Sequence, residues 1–275
     1  MNWNNTLRPW ATCPLSLLAL GLAFFTPVLM AQHETEVKLP ASENFHLFLL
    51  AGQSNMAGRG EVTPGRNAPN PRVLMLTKDG AWAPATDPIH YDKPFAGVGL
   101  ARTFAEAYLA DHPGVTIGLI PAACGGSPIS TWQPGIYFDQ TDSHPWDDAV
   151  ARTRSALRDG ELQAILWHQG ESDSNDELAP LYEANLEDLL QRFWRVFGDR
   201  ELPVVIGQLG QFSANPWGAG TKQVDAAMQS VVAKHDNVGF VRSDGLEAKP
   251  DGIHFNAEAL REFGKRYYTA LAALE

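Results

Sequence analysis

The stretch LFLLAGQSNMAGRG, residues 47–60, runs apolar for five positions and then turns into small and polar residues around one serine, Ser54. A strand covered on both faces reads as an unbroken apolar run rather than an alternating one. Read as such a strand over 46–51, it is followed by similar runs, most of them continuous, at 73–76, 115–121, 164–168, 204–209 and 238–241. Helical patterns fall between or after them at 100–110, 146–158, 178–197, 222–235 and 257–274. In LYEANLEDLLQRFWRVF, Leu181, Leu186, Leu189, Leu190, Phe193, Trp194 and Phe197 lie close to one helical face. Strands alternating with helices predict an α/β sandwich with a central, mainly parallel sheet.

The rest of the composition is compatible with that. The 275 residues are 44% hydrophobic with 24 Gly and 19 Pro, ordinary for a globular chain, and contain no internal repeat or low-complexity tract. Arg8 precedes a mostly apolar run at 17–30, and Ala31 offers a small residue before polar Gln32-His33-Glu34. Residues 1–31 therefore read as an export signal, leaving 32–275 as a single domain, secreted or periplasmic, with no stable membrane insertion after cleavage. A retained membrane anchor is the alternative, because Leu29 is larger than the residue usual two places before a cleavage point. Removing the segment takes away one base and no acid, so 20 bases face 32 acids and the net charge is −12. Such a charge disfavours nucleic acid and anionic membrane surfaces as partners. Cys13 lies in the signal, which leaves Cys124 alone and without a disulfide partner in the chain. Its apolar, small-residue surroundings, PAACGGS, suit a buried and inert thiol. Nothing in the sequence indicates an oligomeric state.

In a sheet of this kind, chemistry gathers beyond the carboxyl ends of the strands. There the first strand ends in GQSNMAG, the third in AACGGSPIS and the fourth in HQGESDS, so three polar exits converge on one edge. Near the C-terminus KPDGIHFNAEAL sets Asp251 three residues before His254, ahead of a helix capped by Asn256. In a turn, that spacing can bring the carboxylate to imidazole Nδ1 and leave Nε2 as a base. Alone, the same residues read rather as a turn and a cap, with His254 filling a gap. A serine hydroxyl needs such a base to become a nucleophile. The pattern is not a G-x-S-x-G elbow, since Met56 stands where the second Gly would be. His168, Glu171 and Asp173 do not have the H-E-x-x-H spacing of a zinc helix, and Gly52, Gly58 and Gly60 fit neither a phosphate loop nor a dinucleotide fingerprint. No metal and no cofactor is expected.

GQSNMAG at 52–58, CGGSPISTW at 124–132, HQGESDS at 168–174 and DGIHF at 251–255 together resemble the SGNH hydrolase superfamily. The similarity is closest to the branch of sialate O-acetylesterases and carbohydrate esterase family 6 acetylxylan esterases. The resemblance implies a flavodoxin-like, three-layer α/β/α fold and hydrolysis of acetyl esters of sugars. It further implies Ser54 as nucleophile, His254 as base and Asp251 as the acid that orients it. The oxyanion hole would use the backbone amides of Ser54 and Gly126 with a side-chain donor from the fourth-strand motif. Where the wider superfamily has Asn after a Gly, this chain has Gln169-Gly170-Glu171. An ionised Glu only accepts hydrogen bonds, so the donor role goes to the Gln169 amide, with Glu171 orienting a donor or touching His254. A different alignment of the short block exchanges the two. Gln53, Asn55 and Gly125 are expected to support the site without reacting.

The expected function is a secreted carbohydrate esterase whose partner is an acetylated carbohydrate, with acetylxylan-type polysaccharide favoured. A sialate O-acetylesterase is the alternative, and an inactive carbohydrate-binding protein on the same fold is the alternative of another class. Arg59, Arg66 and Lys249 are the candidates for meeting a sialate carboxylate, and the deficit of bases favours a neutral sugar. Trp132, Tyr137, Trp146 and Trp217 stand in or beside loop-like stretches as candidate sugar contacts, while Trp167, Phe193 and Trp194 read as core.

Overall fold

In the computed structural model, which describes residues 37–275, the opening apolar run forms the strand β1 (Phe45–Gly52) at the heart of the molecule. The export signal read at 1–31 lies outside the described residues. In chain order there follow a one-turn helix α1 (Ser54–Ala57), β2 (Val73–Leu76), β3 (Trp82–Pro84), α2 (Ala101–Asp111), β4 (Thr116–Pro121), α3 (Pro145–Ala156) and β5 (Glu161–His168). Then come α4 (Tyr182–Phe197), β6 (Val204–Gly207), α5 (Ala219–Val232), β7 (Val238–Val241) and α6 (Ala257–Ala272). The sheet order is β3-β2-β4-β1-β5-β6-β7, with only β3 antiparallel to its neighbour.

From Leu47 to Ala51, β1 is unbroken apolar because it serves two cores. Phe45, Leu47, Leu49 and Ala51 join Trp146, Ala149, Leu186, Leu189, Phe193, Val224 and Met228 from α3, α4 and α5 on one face. Phe48 and Leu50 join Phe104, Tyr108, Leu260, Phe263 and Tyr267 from α2 and α6 on the other. The period-two alternation of the strand thus feeds two helical layers, the α/β/α sandwich that the apolar pattern predicts. No helix among the described residues is long and apolar enough to cross a membrane.

Two of the differences from the sequence reading lie at the start of α4 and at one edge of the sheet. The pattern at 178–197 opens with a 3-10 turn, Ala179–Leu181, which holds Pro180 in its first positions, and the α-helix begins at Tyr182. β3 has no run of its own in the sequence, being three partly exposed residues that close an edge through Trp82. That ring meets Phe45 edge-on at 4.7 Å and donates from Nε1 to Asp159 at 2.8 Å.

The chain leaves β1 for β2, β3 and β4 on one side and then crosses to β5 on the other, so β1 sits at the topological switch point. In open α/β sheets this is where a crevice forms outside the carboxyl ends of the strands. Ser54 follows β1 directly.

Candidate active site

β1 is pressed against β5 where it ends. Gly52 pairs with His168 at φ 133°, and a Cβ there would lie 2.1 Å from the His168 carbonyl oxygen, so only glycine fits. The next amide, of Gln53, donates to that carbonyl at 2.9 Å. Ser54 then opens α1, and as the first helical residue it has no intrahelical acceptor for its own amide. The Gly126 amide, beyond β4, likewise has no partner among the described residues.

The connection from β7 to α6 brings the other groups. Asp251 accepts from the amides of Ile253 and His254, each at 2.9 Å, through Oδ1, and meets His254 Nδ1 at 2.9 Å through Oδ2. The opposite ring nitrogen, Nε2, lies 3.0 Å from Ser54 Oγ. Partial burial works against ionisation of Asp251, but the His254 amide and ring and the Ile253 amide outweigh it and hold the carboxyl down at about 2. With an anion fixed on Nδ1, that nitrogen carries the proton and Nε2 presents a lone pair to the hydroxyl. Asn256 caps α6 by accepting from the Ala259 amide at 2.8 Å, so cap and triad geometry coexist on one turn.

Asn55 clamps this turn. Its Oδ1 accepts from the Phe255 amide at 3.1 Å, and its Nδ2 donates to Glu171 Oε1 at 2.6 Å and to the Ile253 carbonyl at 3.4 Å. Glu171 therefore orients an amide, and it has no hydrogen bond to His254. The same oxygen stands 3.5 Å from His168 Nε2. Burial pushes the Glu171 carboxyl up, but the His168 ring and the Asn55 amide outweigh it and hold it below its ordinary value.

Gln169 requires a correction. Its side chain is sealed off, and Nε2 donates to Asp173 Oδ2 at 2.5 Å, Ser127 O at 3.0 Å and Gln53 Oε1 at 3.2 Å. An amide has two hydrogens, and three internal acceptors already share them, so Gln169 ties the exits of β1, β4 and β5 together rather than facing an oxyanion. The turn that aims it inward depends on Gly170, at φ 144°, where a Cβ would come within 2.8 Å of Met228.

The loop carrying Gly126 is held by charge. Arg59 and Asp92, both almost wholly buried, pair at 2.7 Å, and Asp92 Oδ2 also accepts from the Gly125 amide at 2.9 Å. Arg59 is thereby consumed internally, a role that the sequence reading did not assign to it. Cys124 is buried and free, and burial pushes its thiol up to about 11. That is far from a reactive thiolate.

The profile of the family described as carbohydrate esterase, sialic acid-specific acetylesterase, matches residues 44–273. The chain belongs to this family. It is a carbohydrate acetylesterase, and therefore an ester hydrolase. A probable carbohydrate esterase of Arabidopsis thaliana is 32% identical in an alignment of 254 positions that covers 85% of this chain and 92% of the plant protein. An Arabidopsis thaliana crystal structure aligns with a TM-score of 0.72 at 30% identity, covering 84% of this chain and 98% of that one. The structure of NanS shares the fold with a TM-score of 0.68 at 19% identity, covering 85% and 98%. That of a carbohydrate acetylesterase from Xanthomonas citri does so at 0.62 and 20%, covering 82% of this chain and 55% of that one.

Beside the triad the esterase has a groove of about 490 Å³. Gly252 and Ile253 of the His254 turn form one wall, with Trp217, Asn215, Thr221 and Glu171 around it. The indole of Trp217 is fixed by Nε1 donating to Gly210 O at 2.6 Å. No Lys or Arg lines this groove. Of the other cationic candidates, Arg66 pairs with Glu258 on the surface, and Lys249 lines a separate cavity of about 430 Å³ beside Arg261. Trp132 and Trp146 are buried core residues rather than sugar contacts, as their packing on Trp167 and Phe193 requires, whereas Tyr137 is exposed. Among the described residues no group of three or more His, Cys, Asp or Glu could hold a metal ion.

Proposed function

We propose that the esterase removes O-acetyl groups from a neutral polysaccharide of the acetylxylan kind through a Ser54 acyl-enzyme. The observation that carries this is the unbroken line from Asp251 through His254 to Ser54, at 2.9 and 3.0 Å. Ser54 Oγ attacks the acetyl carbonyl carbon while its proton passes to His254 Nε2. The oxyanion is received by the amides of Ser54 and Gly126, and collapse expels the sugar hydroxyl, which takes the proton back from Nε2. Water then attacks the acetyl-enzyme with the same base, and acetate leaves. Asp251 stays ionised throughout and keeps the imidazole in the right tautomer. The neutral substrate is favoured because the groove beside the triad offers a tryptophan face, an amide and a hydroxyl, and because its one charged residue is an acid, Glu171. A sialate carboxylate would meet repulsion there. Residues 1–31 serve export, and 32–275 act as one catalytic domain.

The test is acetate release from acetylated xylan and from O-acetylated sialic acid, measured side by side for the wild type and Ser54→Ala. Release from xylan that falls roughly 10⁴- to 10⁶-fold in the variant is expected, by analogy with other serine hydrolases. Preferential release from sialic acid would overturn the substrate, and an unimpaired Ser54→Ala variant would overturn the mechanism.

A further inference from the structure

With Gln169 engaged inside the protein, the oxyanion site has two backbone donors and an open place for a third. We propose that the Gln53 side-chain amide fills it, an inference that rests on the acyl-enzyme mechanism above. Gln53 immediately precedes the nucleophile and is only 3% exposed. Its Oε1 accepts from Gln169 Nε2 at 3.2 Å, the Ser172 amide at 3.2 Å and the Gly170 amide at 3.4 Å. Three donors converging on one atom identify that atom as the oxygen, so the two ends of the carboxamide cannot be exchanged. The NH₂ group therefore points the other way. There it has no acceptor among the described residues, yet it is not one of the polar atoms sealed from solvent.

The surroundings place this amide at the oxyanion. The hydroxyl of Ser172, whose amide holds Gln53 Oε1, donates to the Gly126 carbonyl at 2.9 Å. Gln53 is thus bracketed between Ser54, its neighbour in the chain, and Gly126, the two residues whose amides are assigned to the oxyanion. A donor fixed by its own oxygen needs no rearrangement when charge develops, which is the property that makes such groups effective in the transition state. Gln169 then acts as a positioning residue, holding Gln53 from behind.

Two variants and one probe test the proposal. Gln53→Met removes the donor at similar volume. Gln53→Glu keeps an oxygen for the three internal donors, so its fold survives even if the methionine variant's does not. Both should lower kcat roughly 10²- to 10³-fold or more while KM is little changed, the magnitude associated with losing one such donor. Methylboronic acid, which adds to a serine Oγ to give a tetrahedral anion of acetyl size, should bind more weakly by a similar factor. A merely structural role would shift the melting temperature and KM together instead. Full kcat and unchanged methylboronic acid inhibition in a folded Gln53→Glu variant would overturn the assignment. Because Ser54→Ala is assayed in parallel, that result would leave the acyl-enzyme mechanism standing. Undiminished turnover by Ser54→Ala would remove both.

Discussion

Asn55 stands next to Ser54, the proposed nucleophile, yet its side chain acts on the opposite partner. By bonding both Phe255 N–H and Ile253 C=O it fixes the turn on which His254 is carried, and Glu171 fixes Asn55 in its turn. Asn55→Ala should therefore cost roughly 1–3 kcal/mol of stability, from the polar groups left without partners. It should also lower kcat through a misplaced imidazole, as urea unfolding and steady-state kinetics would register. Asn55→Asp keeps the acceptor for Phe255 but sets a second carboxylate beside Glu171, and should be the worse of the two. This scale also marks where sequence reading stopped. It could place glutamines at two strand exits and demand a donor, but Gln53 and Gln169 are chemically identical. Only the turn at Gly170 decides which amide points inward, and that turn is a property of the folded backbone.

Strand exits, rather than strands, hold the crevice in shape. Arg59 donates to the Gly58 carbonyl at 2.9 Å behind α1 and pairs with Asp92, which in turn receives Gly125 beyond β4. The loop after β1 is thus tied to the loop after β4 through a residue that lies between β3 and α2. Replacing Asp92 with Asn leaves a buried guanidinium without its counter-charge, which should cost about 3–5 kcal/mol, read as a lower urea midpoint at constant slope. Turnover per folded molecule should fall as well, since the Gly126 amide rides on this loop. The sequence displayed the elements because a stretch buried on both faces must be apolar, as 47–51 in β1 and 204–206 in β6 are. It did not display β3, where three residues ending in Pro84 carry no periodicity. Nor did it display the Arg59–Asp92 pair, since two charges 33 positions apart look like any other surface charges until the fold brings them together.

Across the whole molecule, two buried groups pull the pH dependence of stability in opposite directions. Burial raises Asp173 from 3.8 to about 6, so between those values the native state holds a proton that the unfolded chain has released. Stability from this group falls as pH rises through that window. Burial lowers His90 from 6.5 to about 4, so the unfolded chain takes a proton that the native state refuses, and stability is lost as pH falls from 6.5 to 4. The two slopes oppose each other over much of the same range. Asp173→Asn retains an oxygen for the Ile129 amide and for Gln169 while abolishing one slope. Its melting temperature relative to wild type should be close at pH 4 and higher at pH 7, and the variant should destabilise more steeply than wild type on acidification from pH 6. Equal curves at every pH would refute the burial argument for Asp173.

Ser54 and His254 meet although they stand 200 positions apart in the chain, one at the tip of the first strand and the other after the last. No fragment released early from the ribosome contains both, so hydrolytic competence arrives only when the final turn and α6 have docked. Recovery of turnover during refolding should for that reason report closure of the entire sheet, from its first strand to the turn after its last.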